Sequence, residues 1–208
     1  MRYFTLILLS LLAGLSVKAQ DHEATMYFVD GTDVTGLATI KFVKESFYGL
    51  PKDKISFRVS EDSEADMWDD ETVTKIVFHG FGTPVTFEYI PVVYVDGTQA
   101  SLFQVIATGE VNLYAEAAGV WDTKTDELIM PQPRSLRAKR DGEKEFANLT
   151  NKKKIITYFK GCPGINEGLE SGEFSGRTPA EMVTYYNENC GSKDIAAPDT
   201  KNPAQVGQ

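Results

Sequence analysis

The sequence predicts an α+β protein: an antiparallel β-sandwich or partly open barrel, followed by a small disulfide-clamped C-terminal helical cap. Three observations predict this class. Over roughly the first two thirds of the chain, apolar and polar residues alternate at the period of a strand, and the turn pair Asp-Gly recurs at 30–31 and 96–97. After about residue 150 the apolar period becomes that of a helix, and two cysteines stand in this part. We therefore expect a signal peptide at 1–19, a β-rich domain at 20–145, a helical cap at 146–191 and a disordered tail at 192–208.

Residues 1–19 have the three parts of a cleavable secretory signal peptide. Met1-Arg2 is a short positive start, Phe4–Leu15 is an apolar run, and Val17-Lys18-Ala19 offers small or β-branched residues at a cleavage site. The apolar run is too short to span a bilayer, which disfavours the alternative of a membrane anchor. Position 20 is Gln rather than Cys, so a lipoprotein is disfavoured. The chain is thus expected to be exported, and to be periplasmic, exposed on the cell surface or secreted.

Short alternating runs bounded by turn residues predict the strands. Residues 20 to about 24 are polar, and we expect them to be loose. Pro91 interrupts one run, and it predicts an edge or a kink there because proline cannot donate to a strand ladder. The predicted runs are Thr25–Val29, Val34–Val43, Lys54–Val59, Thr72–Phe78, Val85–Val95, Ser101–Thr108, Glu110–Ala115 and Leu136–Lys139.

Two segments of the cap carry helix-start signals. Asn151 can cap a helix whose apolar face holds Ile155, Phe159 and Cys162. The clearest start in the chain is Thr178-Pro179-Ala180-Glu181, where Thr caps, Pro stands at the first helical position and Glu reaches back. Between them, the glycine-rich stretch after Pro163 predicts only a weak helical turn.

Cys162 and Cys190 are the two cysteines of the chain, and each is expected at the far end of a short helix. Export places them in an oxidising compartment, where an even pair usually forms a disulfide; two buried free thiols are the alternative. The bond would close a loop of about 29 residues, which the chain-entropy model values at about 3.6 kcal/mol.

The charge balance disfavours nucleic acid and anionic membranes as partners. The chain has 21 basic and 30 acidic residues, and removal of the signal peptide takes away Arg2 and Lys18, leaving a net charge of 19 − 30 = −11. Both of those partners require a basic face. No run after the signal is long enough to form an integral membrane segment.

The sequence contains no recognisable catalytic motif. Two histidines occur, His22 and His79, and neither G-x-S-x-G nor H-E-x-x-H is present. We expect His79 to end a strand and face solvent, and we assign no catalytic residue and no cofactor. Whether the protein is an enzyme is left open, with the balance against it.

One dense cluster of carboxylates lies at Glu61–Glu71, where seven acidic residues fall within 11 positions. Such a loop could supply the hard oxygen ligands that Ca²⁺ prefers, and the alternative ligand set is Asp66, Asp69, Asp70 and Glu71. The EF-hand order of ligands is absent. The competing interpretation is a solvated loop between strands, with Trp68 packed back on the sheet.

Several motifs resemble those of a group of exported, uncharacterised proteins of Bacteroidota. One is a turn-rich β start, made of Tyr27–Thr32 with Gly36, then Lys54–Phe57 and Val73–Ile76. Another is Gly109-Glu110-Val111-Asn112-Leu113-Tyr114, and the last is a helical end with Tyr158-Phe159-Lys160-Gly161-Cys162-Pro163 and Tyr185-Tyr186-Asn187-Glu188-Asn189-Cys190. The resemblance implies a signal peptide, a β-rich region and this helical end. It implies no activity.

Together these observations favour a non-enzymatic binding protein of the cell envelope or the secreted fraction, with an unknown protein or envelope component as its partner. Sheet edges serve that use well. Two alternatives are kept: a secreted hydrolase that uses carboxylates, and a Ca²⁺-binding module built on the acidic loop.

Overall fold

A computed structural model describes seven parts of the chain. They are residues 21–44, 51–94, 97–117, 120–122, 127–128, 136–149 and 151–191. The predicted signal peptide at 1–19 and the predicted disordered tail at 192–208 lie outside them, as does part of the predicted turn at 96–97. Every structural statement below concerns the described residues.

Ten strands form one antiparallel sheet, in the order β12-β11-β8-β7-β6-β5-β1-β2-β3-β4, and β9 and β10 pair separately. This confirms the predicted mainly antiparallel β architecture. The strands are β1 His22–Phe28, β2 Asp33–Lys44, β3 Pro51–Arg58, β4 Asp66–Trp68, β5 Val73–Phe78, β6 Val85–Tyr94, β7 Gly97–Ala107, β8 Val111–Glu116, β9 Trp121–Asp122, β10 Glu127–Leu128, β11 Leu136–Arg140 and β12 Ala147–Asn148.

The first hairpin forms at the predicted Asp30-Gly31 turn, where Gly31 has a φ of +86°. It begins earlier than the sequence suggested. His22 already pairs with Ala38 of β2, and the carbonyl of Glu23 accepts a hydrogen bond from the backbone amide of His79. The expectation of a loose segment up to residue 24 is therefore wrong from His22 onward, because β1 pairs on both sides, with β2 and with β5.

The sheet curls back on itself, as in a partly open barrel. A side-chain oxygen of Asp53 in β3 accepts a hydrogen bond of 2.8 Å from the amide of Leu102 in β7, although four strands lie between β3 and β7. The hydroxyl of Tyr89 in β6 donates to the carbonyl of Asp53 at 2.9 Å. A continuous apolar core fills the space that the curled strands enclose, with Met26, Ile40, Ile55, Phe78 and Phe87 among its buried members.

Pro91 lies in an interior strand but has a strand neighbour on one side only. The pairing of β6 with β5 covers Val85 to Glu88, whereas its pairing with β7 continues to Tyr94. Pro91 therefore stands beyond the end of β5, where its missing amide hydrogen is not required. This local edge agrees with the prediction from the proline.

The cap contains three helices: α1 Lys152–Tyr158, α2 Pro163–Ser171 and α3 Pro179–Asn189. Both predicted start signals are confirmed. Asn151 accepts a hydrogen bond from the amide of Lys154, and Thr178 and Glu181 form a reciprocal capping box. The apolar faces of these helices pack on β8 and β11, where Val111, Leu113 and Ala138 are buried against them.

The middle segment of the cap is a full helix rather than a weak turn. A Cβ at Gly164 would collide with the hydroxyl of Tyr185, and a Cβ at Gly168 would approach the ring of Phe174 to 2.8 Å. These glycines are therefore packing positions, which let α2 lie close to its neighbours. Their helix-weakening effect is offset by this close packing.

The disulfide between Cys162 and Cys190 is present, with the two Cα atoms 5.5 Å apart. Cys162 immediately precedes α2, and Cys190 ends α3. The bond thus joins the start of the second helix to the end of the third. It confirms the predicted disulfide of the helical end, but Cys162 lies at the start of α2 and not at the far end of α1 as expected, because α1 already ends at Tyr158.

Candidate functional site

An open groove runs between α1 and the hairpin formed by β11 and β12. Its volume is about 860 Å³, and its lining includes Arg140, Glu143, Phe146, Lys153, Lys154 and Tyr158. One wall is the helix surface, and the other is the edge of the ten-stranded sheet. The groove therefore lies where the cap meets the sheet.

The groove is basic although the chain as a whole is acidic. Residues 134–160 hold nine of the 21 basic residues but only three of the 30 acidic ones. The net charge of the whole chain hides this segregation, because it averages over all residues. Counting charge in windows along the chain would have found it.

Arg140 is at the centre of an aromatic and carboxylate network at the base of the groove. Its guanidinium lies 4.3 Å from the ring centre of Tyr158 and 5.2 Å from that of Tyr186. It also donates to the carbonyl of Tyr158 at 3.1 Å and to Oε1 of Glu143 at 3.4 Å. Burial acts to lower the pKa of Arg140, but the hydrogen bond with Tyr186 and the electrostatic interactions with Tyr158, Tyr186 and Glu143 outweigh it and raise the pKa.

Glu143 is held in place by this network. Its Oε2 accepts hydrogen bonds of 2.9 Å from the backbone amide of Arg140 and from the hydroxyl of Tyr158. Burial, and then the hydrogen bond and charge of Glu143, raise the pKa of Tyr158 above its ordinary value. Tyr158 therefore stays a neutral donor, and Glu143 serves as its acceptor and as the counter-ion of Arg140.

The lysines on the helix side of the groove are exposed and uncompensated. Lys153, Lys154 and Lys160 are all exposed. Within the described parts of the chain, none of these three forms an ion pair. Their ammonium groups are thus available to an anionic partner, unlike the guanidinium of Arg140.

Phe146 forms the sheet-side aromatic wall of the groove. Its ring stacks on Phe103 at 5.0 Å between centres, meets Tyr114 edge-on at 5.9 Å, and has the ammonium of Lys139 at 5.2 Å. The ring therefore already contacts two aromatic rings and a cation. Little aromatic face remains on Phe146 for stacking a sugar.

Asn187 fixes α3 on the turn between β7 and β8. Its side-chain oxygen accepts from the amide of Val111 at 3.0 Å, and its side-chain nitrogen donates to the carbonyls of Val111 at 2.9 Å and Thr108 at 3.3 Å. The neighbouring Tyr186 hydroxyl donates to Glu110 at 2.8 Å. Two of the motifs that carry the resemblance, one beginning at Gly109 and one ending at Cys190, therefore contact each other and dock the cap.

The two histidines lie apart from the groove. His79 is exposed and shares a hydrogen bond of 2.9 Å with the hydroxyl of Thr25, which in turn contacts the hydroxyl of Thr35 at 3.0 Å. His22 packs against aromatic rings, with its ring centre 4.6 Å from that of Phe81 and 5.6 Å from that of Trp121. The solvent-facing position expected for His79 is thus what the structure shows.

The acidic segment at 61–71 includes β4, which forms one edge of the sheet. Asp69 stabilises the turn that follows β4. Its carbonyl accepts hydrogen bonds from the backbone amides of Thr72 and Val73, and its Oδ1 accepts one from the backbone amide of Glu71. As expected, Trp68 packs back on the sheet, with its ring centre 5.3 Å from that of Phe28.

Asp66 is an exposed strand residue, whereas Asp69 and Asp70 are half-buried. In the described part of the chain, no group of three histidine, cysteine or acidic side chains is arranged to hold a metal ion. The Ca²⁺ ligand set of Asp66, Asp69, Asp70 and Glu71 therefore stays a prediction.

No family model, no curated protein and no solved structure matches the chain. None of the described helices is both long and apolar enough to cross a membrane.

Proposed function

We propose that this chain is an exported, non-enzymatic binding protein of the cell envelope or the secreted fraction, and that it holds an acidic partner in the groove beside α1. The observation that carries the proposal is the exposed, uncompensated lysine set of the open groove. In a chain with 30 acidic and 21 basic residues, such a set is a local exception that favours acidic surfaces.

The contacts of Glu143 support a binding function for this groove over hydrolysis catalysed by carboxylates. A hydrolase that uses carboxylates as its catalytic groups needs two of them facing each other across its substrate. Glu143 instead accepts hydrogen bonds from the amide of Arg140 and the hydroxyl of Tyr158, and its charge is offset by the guanidinium. It is engaged as a structural acceptor.

The disulfide supports export. Cys162 and Cys190 are joined, which is consistent with folding in an oxidising compartment. The predicted signal peptide at 1–19 and the Gln at position 20 add a secreted or periplasmic location without lipid attachment. Mass measurement of the protein recovered from its host, with and without reductant, tests the cleavage site and the thiol state together.

Binding of a synthetic oligo-glutamate peptide, followed by fluorescence anisotropy, tests the groove. We expect the native protein to bind it, and Lys153→Ala/Lys154→Ala to weaken binding by about 2- to 30-fold, since exposed ion pairs contribute roughly 0.2–1 kcal/mol each. The matched control, Lys41→Ala/Lys75→Ala, removes the same charge from β2 and β5, where neither lysine lines the groove, and is expected to bind like the native protein.

Two results would contradict the proposal. One is the absence of any binding at low ionic strength, where exposed charges are screened least. The other is an equal loss in the groove variant and in the control variant, which would show that only net charge matters.

A further inference from the structure

We propose that the partner of the groove is a second copy of this chain, which adds its acidic edge strand β4 beside the basic edge at β12. Copies would then join head to tail through one extended sheet. This inference depends on the proposed function, because it names the occupant of the same groove.

Both edges belong to the same sheet and both have an open side. β12 and β4 are the first and last strands in the order of the sheet, so no described strand pairs with the outer side of either one. Backbone groups point alternately to the two sides of a strand, so each edge directs amide and carbonyl groups outward. An extended segment can pair with such groups, as in strand addition.

The two edges carry opposite charge. The segment 61–71 around β4 has seven acidic residues and no basic one, whereas Lys153, Lys154 and Lys160 stand beside β12. Like charges oppose pairing of β4 with β4 and of β12 with β12, which is a common way to prevent edge-to-edge association. The same charges attract when β4 meets β12, so only the head-to-tail contact is favoured.

Apolar side chains accompany the acidic edge. Met67 of β4 is 47% exposed, and nearby Val59 is 62% exposed. Large apolar side chains left in water beside an edge strand are typical of a contact surface. Pairing at β12 would bring Met67 towards the groove and remove it from water.

The symmetry of this contact determines the kind of assembly. Because β4 and β12 are different surfaces, their contact is heterologous and produces either a closed ring or an open filament. The edge strands are only three and two residues long, so we expect a weak, reversible association that depends on salt.

Sedimentation velocity of the full exported chain tests the association. We expect the weight-average sedimentation coefficient to rise with protein concentration at about 50 mM salt and to return to the monomer value at about 500 mM, where the screening length is several-fold shorter than at low salt. A monomer at every concentration in low salt would overturn the inference.

Charge-reversed variants test the pairing of the two edges. Lys153→Glu/Lys154→Glu sets two acidic side chains beside β12 against the acidic edge at β4, and Glu64→Lys/Asp66→Lys sets two lysines at β4 against the lysines beside β12. Each variant alone is expected to stay monomeric, and an equimolar mixture is expected to associate, because each acidic edge then meets a basic one. Glu167→Lys/Glu188→Lys, which changes two exposed helix carboxylates, is the control and is expected to behave like the native chain.

The mixing result separates this inference from the proposed function. If the native chain binds oligo-glutamate but neither the native chain nor the mixture associates, the groove takes a different acidic partner and the self-association is wrong. If oligo-glutamate does not bind either, the proposed function fails as well. Restored association in the mixture also excludes misfolding as the reason that each variant alone is monomeric.

Discussion

The side-chain amide of Asn187 occupies the space in which a Cβ of Gly109 would stand. Only glycine lets α3 approach the β7–β8 turn this closely. The amide then bonds to both backbone groups of Val111. The Asn187 side chain thus takes the place of a neighbouring strand at Val111 and holds the cap on β8.

Gly109→Ala is expected to destabilise the protein by about 2–4 kcal/mol, because the new methyl group displaces Asn187 and leaves the Val111 amide without its acceptor. Asn187→Ala is expected to cost about 2–3 kcal/mol for the lost hydrogen bonds. The measurement is urea unfolding of both variants and of the double variant.

The double variant decides between coupling and independence. Since both changes remove the same interaction, Gly109→Ala/Asn187→Ala should cost clearly less than the sum of the two single changes. Additive changes in the free energy of unfolding would show that Gly109 and Asn187 act separately, and they would contradict the coupling inferred from the contact between them.

Removal of the disulfide is expected to destabilise the cap. Cys162→Ala/Cys190→Ala frees a loop of about 29 residues and should lower the free energy of unfolding by about 2–4 kcal/mol. Thermal unfolding followed by circular dichroism measures this change. Reduction of the native protein should lower the melting temperature in the same direction, whereas an unchanged temperature in both experiments would contradict the clamp.

Asp53 makes stability depend on pH between about 4 and 6. Burial, aided by the charge of Glu116 and opposed by the hydrogen bond from Leu102, raises the pKa of Asp53 from 3.8 to about 6. The folded state therefore binds this proton more tightly than the unfolded state. Its stabilising effect is complete below about pH 4 and is lost as the pH rises through about 6.

Asp53→Asn keeps the acceptor for Leu102 and removes the charge, so we expect it to stabilise the protein at pH 7 by about 1–3 kcal/mol. The expected gain disappears near pH 4. Urea unfolding of the native protein and the variant between these two pH values measures the difference. A constant difference across this range would show that Asp53 does not titrate there.

Glu143→Gln is expected to lower the pKa of Tyr158 without returning it to the ordinary value. Burial is the larger cause of the raised pKa and remains, whereas the carboxylate charge is removed. Alkaline titration by ultraviolet absorbance measures tyrosine ionisation. Tyr158→Phe identifies which of the 9 tyrosines responds, because the shift should be absent when it is combined with Glu143→Gln.

Local signals in the sequence predicted much of the fold. The Asp30-Gly31 turn, the Asn151 cap and the Thr178 capping box each depend on a few adjacent residues, and each is present. The disulfide followed from the cysteine count and the predicted export. The position of β1 between β5 and β2 did not follow, because strand order depends on contacts between distant residues.

The groove was not predicted for the same reason. Arg140, Tyr158 and Tyr186 come from β11, α1 and α3, and no spacing in the chain brings them together. The glycines of α2 were misjudged because their value lies in contacts with Tyr185 and Phe174 that only the packed cap contains. The local excess of lysine was the one readable signal of the groove.

The central position of β1 in the sheet has a consequence for the order in which the strands can pair. β1 can pair with β2 as soon as the first hairpin emerges, but its other side must wait for β5, about 50 residues later in the chain. From β5 onward the main sheet is extended by β6, β7, β8, β11 and β12, each added beside a strand that is already in place. As the chain emerges from its amino end, the main sheet can therefore assemble in the order of the sequence, with the helical end and its sulfur bridge completed last.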